Sequence, residues 1–264
     1  MTHKNALLII DAQYDFCHPE GALYVPNAEQ DMRRLAQFIN THVEVIDHIC
    51  VTLDTHFVND ISHPAFWQDE ETKTPPPFTL ITAAEVKAGK WTPRFFPEKT
   101  KQYLENLEAQ GQFPHFIWPE HCLAGSKGNA LDEQVMQAVL HWAHQQGKDY
   151  QVVVKGTYPL TEHFGIFAAQ VPEKDHPETL LNKSLIEALY QYDQVYVAGE
   201  AKSHCVATSI QQAMDYAPDL AAKMTIIEDC MSDVAGLGHL GTPIYDRAKK
   251  ENIPFITSDI TKLP

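Results

Sequence analysis

The sequence predicts a three-layer α/β/α protein, a mainly parallel sheet with helices on both faces, and three observations predict it. Short apolar, β-branched runs occupy residues 6–10, 49–53, 152–154, 195–198, 224–227 and 255–256, as buried parallel strands do. Amphipathic helical patterns fall between most of them, at 27–40, 131–146, 177–191, 203–216 and 239–252. Strands alternating with helices call for parallel crossovers. The length of 264 residues, 44% of them hydrophobic, is ample for such a core.

Taken in order, the run at 6–10 is too short for a secretory h-region and meets Asp11 at once, so it reads as a strand and not a signal peptide. The run at 49–53 leads into Asp54 and His56. Residues 62–117 then break the alternation with Pro64, Pro75-Pro76-Pro77, Pro93, Pro97 and Pro114, and with a helical segment near 98–108. This stretch reads as a long insertion after the second strand of a single domain spanning 1–264. A lid, an oligomer contact that would make a homo-oligomer, and surface decoration are all open readings of it. The third run ends on Lys155. The fourth ends at Gly199, with a turn and a helix from Ser203 after it. No internal repeat or low-complexity linker divides the chain.

Composition excludes some functions. A formal net charge of −15 repels phosphate backbones and anionic lipid, so nucleic acid and membrane surfaces are not expected partners. No run of 18 apolar residues suggests a membrane span. Five cysteines, Cys17, Cys50, Cys122, Cys205 and Cys230, stand at wide spacings without a Cys-x-x-Cys pair. That pattern fits reduced thiols and a cytoplasmic location better than a disulfide framework.

Ligands of open parallel sheets sit beyond the carboxyl ends of the strands. Asp11, Asp54 with His56, Lys155, and the segment holding Cys205 each follow an apolar run. Cys205 would sit in the first turn of a helix, where free N–H groups and a positive dipole lower a thiol's pKa and can hold an oxyanion. A buried, inert cysteine is the competing reading. Lys155 could stabilise a thiolate or pair with an acid. Asp11 could move the thiol proton or merely cap a turn. Asp54 and His56, two apart on extended chain, face the same way and suit a divalent metal, with a third ligand from Trp118-Pro-Glu-His-Cys122. Among fourteen histidines, His18, His63 and His163 are left without a role.

These residues resemble the isochorismatase-like cysteine hydrolases, and within them the nicotinamidase (pyrazinamidase) group. The resemblance rests on Asp11-Ala-Gln-Tyr-Asp-Phe16, Gly21-Ala-Leu23, Asp54-Thr-His56, Trp118-Pro-Glu-His-Cys-Leu-Ala-Gly125, Lys155-Gly156, Gly199-Glu-Ala-Lys-Ser-His-Cys-Val206 and Glu228-Asp-Cys230. It covers about residues 5–60 and 115–257, in order. It implies the isochorismatase-like fold, with a six-stranded parallel sheet. It implies a catalytic triad of Asp11, Lys155 and Cys205, and one divalent ion, zinc, iron or manganese, on Asp54, His56 and His121. An oxyanion hole from the backbone N–H groups of Ala201 and Cys205, beside a cis Glu200–Ala201 peptide, follows as well. Phe16 and Trp118 would hold an aromatic ring, with His204 and Phe164 nearby. The implied reaction is hydrolysis of nicotinamide to nicotinate and ammonia through a Cys thioester, a step of NAD metabolism.

Three departures stand out. Where many nicotinamidases carry another histidine, this chain has Asp60, a candidate fourth ligand that would favour a harder metal. The insertion is much longer than the family usually shows. Thr161-Glu-His-Phe-Gly-Ile-Phe167 matches its counterpart only loosely. Two other readings remain: a metal-free relative acting on another small amide, carbamoyl compound or vinyl ether, and a catalytically silent binding protein on this scaffold.

Overall fold

Every side chain of β1 (Asn5–Ile10) is buried, as a strand covered on both faces requires. The computed structural model describes residues 3–111, 113–261 and 263. After β1 come α1 (Tyr14–Cys17), α2 (Ala28–Thr41), β2 (Ile46–Asp54), β3 (Trp67–Gln68), α3 (Ala83–Lys87), β4 (Thr92–Pro93) and α4 (Pro97–Ala109). The chain continues through α5 (Glu133–Gln146), β5 (Gln151–Lys155), α6 (Lys183–Tyr190), β6 (Gln194–Gly199), α7 (Ala207–Tyr216), α8 (Pro218–Ala221), β7 (Met224–Ile227), α9 (Gly238–Lys250) and β8 (Phe255–Ile256).

Six strands form one sheet in the order β5-β2-β1-β6-β7-β8, and every ladder is parallel. Crossovers leave β1 towards β2 and return to β6 on its other side, so the switch point lies between β1 and β6. A crevice opens there beyond the strand ends. Ile10 pairs with Gly199, and Asp54 with Lys155, which sets all four strand exits at one level. Helices α2 and α5 pack together, as do α7 and α9. α2 buries Ala28, Met32, Leu35, Ala36 and Ile39, the spacing of one helix face. Asp132 caps α5, accepting from Gln134 N at 2.9 Å and Val135 N at 3.3 Å.

Two expectations need correction. The run 152–154 is not a buried strand. β5 is the sheet's edge, and Val152 and Val154 are exposed on its open face. An apolar run cannot by itself separate a central strand from a half-covered edge. The helix expected over 177–191 begins at Lys183. Pro177–Thr179 makes one tight turn, and Asn182 starts the helix by accepting from Leu185 N at 3.1 Å.

Most of the irregular stretch 62–117 gathers around a second apolar cluster built on Phe66, Trp67, Ile81, Tyr103, Leu104 and Ile117. Residues Tyr158 and Leu160, from the loop after β5, join it. Buried His115 sits beside this cluster, with Nε2 3.1 Å from Ile61 O and Nδ1 3.4 Å from the Tyr103 hydroxyl. Burial pushes its pKa down from 6.5 to about 4. The folded protein therefore resists a proton that the unfolded chain accepts below pH 6.5. Stability is complete above that pH and falls as the pH drops from 6.5 towards 4, by about 3 kcal/mol for this one group. Urea melts of wild type and His115→Gln across this window should show a shallower acid loss in the variant; parallel curves would contradict this.

Candidate active site

The opening motif works as a clamp. Gln13, just past β1, donates from Nε2 to Asp54 O at 2.8 Å, and its Oε1 accepts from Asp54 N at 2.7 Å. Asp15 accepts from Cys122 N at 2.7 Å and from Ala22 N at 3.0 Å. Asn129 donates to Asp54 O at 2.8 Å and Cys122 O at 3.3 Å. The loops after β1 and β2 and the 118–125 segment are thus fastened to one another through buried hydrogen bonds, which fixes the side chains they carry.

Two glycines are required by space. Gly156, directly after Lys155, has φ +80°, and a Cβ there would lie 2.8 Å from Asp54 Oδ1. At Gly199, φ is +124° and a Cβ would lie 1.9 Å from Ile10 O, so the end of β6 can approach β1 only without a side chain. The peptide Glu200–Ala201 is cis.

Lys155 is buried at the centre of the site. Its Nζ lies 2.9 Å from Asp11 Oδ2 and 3.0 Å from Asp54 Oδ1, donates to His163 O at 2.8 Å, and lies 3.8 Å from Cys205 Sγ. Burial opposes its charge, but the carboxylates of Asp11 and Asp54 win and hold its pKa well above the usual lysine value. Asp11 also accepts from Thr52 Oγ1 at 2.6 Å. Burial raises its pKa, with the Lys155 ammonium pulling the other way.

The local environment of Cys205 differs from expectation in two ways. α7 begins at Ala207, and the turn before it, Lys202–Val206, is wound wide: Val206 N donates to Ala201 O and Ala207 N to Lys202 O, each five residues back. Cys205 lies in that turn. Nor is its thiol poised as a ready thiolate. Burial pushes the pKa well up, Lys155 opposes this, and the nearby Asp11 carboxylate adds to it. Lys155 Nζ lies 3.8 Å from the sulfur and 2.9 Å from Asp11 Oδ2, so the ammonium bridges the thiol and a carboxylate able to accept its proton.

Asp54, His56 and His121 place one ligand atom each within 4.8 Å of the others, and all three are buried. His56 Nε2 is 2.9 Å and His121 Nε2 3.7 Å from Asp54 Oδ2. His121 Nδ1 donates to Pro119 O at 2.9 Å, which leaves Nε2 with its lone pair towards Asp54. Two imidazoles and a carboxylate, converging and dry, fit a divalent cation. Burial raises the Asp54 pKa on its own, yet His56 and Lys155 draw it well below the carboxylate range. Asp60 stands outside this group. Its Oδ2 meets the opposite nitrogen of His56 at 3.0 Å, while its Oδ1 accepts from Ser62 N and Oγ. Cys122 is also outside it, buried with Sγ 3.7 Å from Gly128 O.

A narrow pocket opens onto Asp54, His121 and Cys205, lined also by Phe16, Trp118, Phe164, Ala201 and His204 among others. Trp118 meets His204 edge to face at 5.3 Å, and Phe164 meets His204 at 5.4 Å. His204 Nδ1 is 2.9 Å from Ser203 Oγ, and its Nε2 has no hydrogen-bond partner among the described residues.

Sequence reasoning missed three residues here. Glu162 lines the pocket, accepts from Trp118 Nε1 at 3.1 Å, and has its pKa raised by burial to about 8. Val234 forms part of the wall. His63 Nδ1 donates to Phe57 O, and its Nε2 lies 3.3 Å from His121 Nδ1, backing that ring. Only Glu162 carried a readable signal, a carboxylate a few residues beyond a strand exit.

No protein-family model matches the chain. It is 25% identical over 251 residues to the nicotinamidase of Saccharomyces cerevisiae, covering 95% of this chain and 98% of that one. Among solved structures, yeast nicotinamidase bound to the inhibitor nicotinaldehyde superposes with a TM-score of 0.65 at 22% identity, over 96% of this chain and 99% of that one. A nicotinamidase/pyrazinamidase from Acinetobacter baumanii gives 0.64 at 20% identity, over 98% of each chain. The pyrazinamidase of Pyrococcus horikoshii in complex with zinc gives 0.56 at 18% identity, over 96% and 99%. At these identities the structural likenesses establish the fold.

Proposed function

We propose that this chain, which has the isochorismatase-like hydrolase fold and resembles the nicotinamidases along nearly its whole length, hydrolyses nicotinamide to nicotinate and ammonia. The observation that carries the reading is Cys205 in the wall of a small aromatic pocket, with the Lys155 ammonium behind it bridging Sγ and the Asp11 carboxylate.

The aromatic side chains Phe16 and Trp118 hold the ring, with the unpartnered His204 Nε2 offered to it. Asp11 takes the thiol proton as Cys205 Sγ attacks the amide carbon, and Lys155 offsets the negative charge that passes between them. The backbone N–H groups of Ala201 and Cys205 receive the oxyanion. Asp11 returns the proton to nitrogen as the C–N bond breaks and ammonia leaves. Water then attacks the thioester, losing its proton to Asp11, and the C–S bond breaks to release nicotinate. Asp54, His56 and His121 would hold a divalent ion, zinc, iron or manganese, which when bound supplies a Lewis acid beside the ring. Asp60 fixes the His56 ring from behind, and His63 does the same for His121. The five unpaired cysteines support a reducing, cytoplasmic setting, and no helix among the described residues is long and apolar enough to cross a membrane.

The test is ammonia release from a panel of amides, nicotinamide and pyrazinamide included, with and without added divalent metals. Release from nicotinamide supports the reading, and a panel without any turnover overturns it. His121→Ala should lower bound metal and activity together, about tenfold or more in each. Elemental analysis alongside the assay checks this. Wild-type activity in a variant stripped of its metal would contradict the metal assignment.

A further inference from the structure

Phe113 lies on the return segment of the irregular stretch, between α4 and Trp118. Its neighbours His115 and Ile117 are buried with the insertion's own cluster, whereas Phe113 and Phe116 pack against the main core. The segment is therefore anchored in one core and delivers aromatic rings to the other. The Phe113 ring meets His204 edge to face at 5.4 Å and Phe164 at 6.0 Å. Both of those residues line the amide pocket.

Phe113 also lines a second cleft of about 180 Å³, with Gln110, Thr208, Gln211, Leu240 and Ile244. Pocket and cleft are thus separated by a partition two rings thick, His204 and Phe164 inside and Phe113 outside. Thr208 stands one helical turn beyond His204. It is buried, and its Oγ1 has no hydrogen-bond partner among the described residues. A buried hydroxyl left unpaired costs free energy unless a ligand or water meets it. The cleft's lining is largely polar, with the side-chain amides of Gln110 and Gln211 beside this hydroxyl, and none of its lining residues among those described is charged.

We infer that Phe113 is a specificity-determining, positioning residue: it buttresses His204 and Phe164 so that the pocket accepts small unsubstituted ring amides, and the cleft behind it is a latent subsite for a neutral polar substituent. The inference rests on the amidase reading for its substrate. Its chemistry is that of size exclusion. A ring held from behind cannot swing aside, so a larger ring clashes; without Phe113, His204 and Phe164 gain room to rotate outward and the two spaces join.

The experiment compares the full chain, wild type, Phe113→Ala and Phe113→Leu, on nicotinamide and on nicotinamides bearing a 2-hydroxyethyl group at ring carbon 5 or 6. In Phe113→Ala the ratio of kcat/KM for the better substituted amide to that for nicotinamide should rise on the order of tenfold, with a smaller rise in Phe113→Leu. Adding Thr208→Val to Phe113→Ala should remove part of that gain. A second readout is free of turnover: the rate of Cys205 alkylation by N-phenyl iodoacetamide relative to iodoacetamide should rise in the same order. Unchanged ratios in both readouts, in variants that melt cooperatively, overturn the inference. Absence of ammonia release by wild type overturns the amidase reading instead, and the alkylation ratio still decides the role of Phe113.

Discussion

Cys205→Ala is expected to release ammonia from nicotinamide at least a thousandfold more slowly than wild type, on the order of what removing a covalent nucleophile costs. The fold should survive the change. Cys205 sits in a wide turn held by backbone bonds from Val206 and Ala207, not by its side chain. Turnover and a urea melt on the same preparation check both halves. Undiminished turnover would contradict the covalent route, and a collapsed melt would show the sulfur to be structural.

Lys155→Met should cost activity and stability together. The ammonium lies 2.9 Å from one buried carboxylate and 3.0 Å from another, Asp11 and Asp54. Removing it leaves the two acids facing each other in a dry site, and breaking a buried pair by deleting one partner costs about 3–5 kcal/mol. Turnover should fall by a factor on the order of a thousand, because no cation then offsets charge moving between sulfur and Asp11. Urea melts with added metal separate the two contributions, since a cation on Asp54 restores stability without restoring turnover. A stable, active Lys155→Met would contradict the arrangement.

What could be read from the sequence followed from one geometrical rule. A parallel sheet aims its strand ends into one crevice, so Asp11, Asp54, Lys155 and the turn before Cys205 announced themselves by closing apolar runs. Contacts made across the fold left no such mark. Val152 and Val154 look like core residues in sequence, yet they sit on an uncovered edge, because coverage depends on which helices reach β5. Pro177 suggested a helix start, but its turn ends after Thr179 and Asn182 caps the real one. Cys205 is buried more deeply than its place near a helix start suggested, and that burial pushes its pKa up against the pull of Lys155. Glu162, Val234 and Phe113 reach the pocket region from loops without periodicity, where position is set by tertiary packing alone.

The most direct measurement of the central claim is peptide mapping after acid quench of the enzyme during turnover of nicotinamide. A nicotinoyl group carried as a thioester on the Cys205 peptide, and absent from Cys205→Ala, is the predicted result. A nicotinoyl group found on any other residue, or acylation that persists in Cys205→Ala, would contradict it.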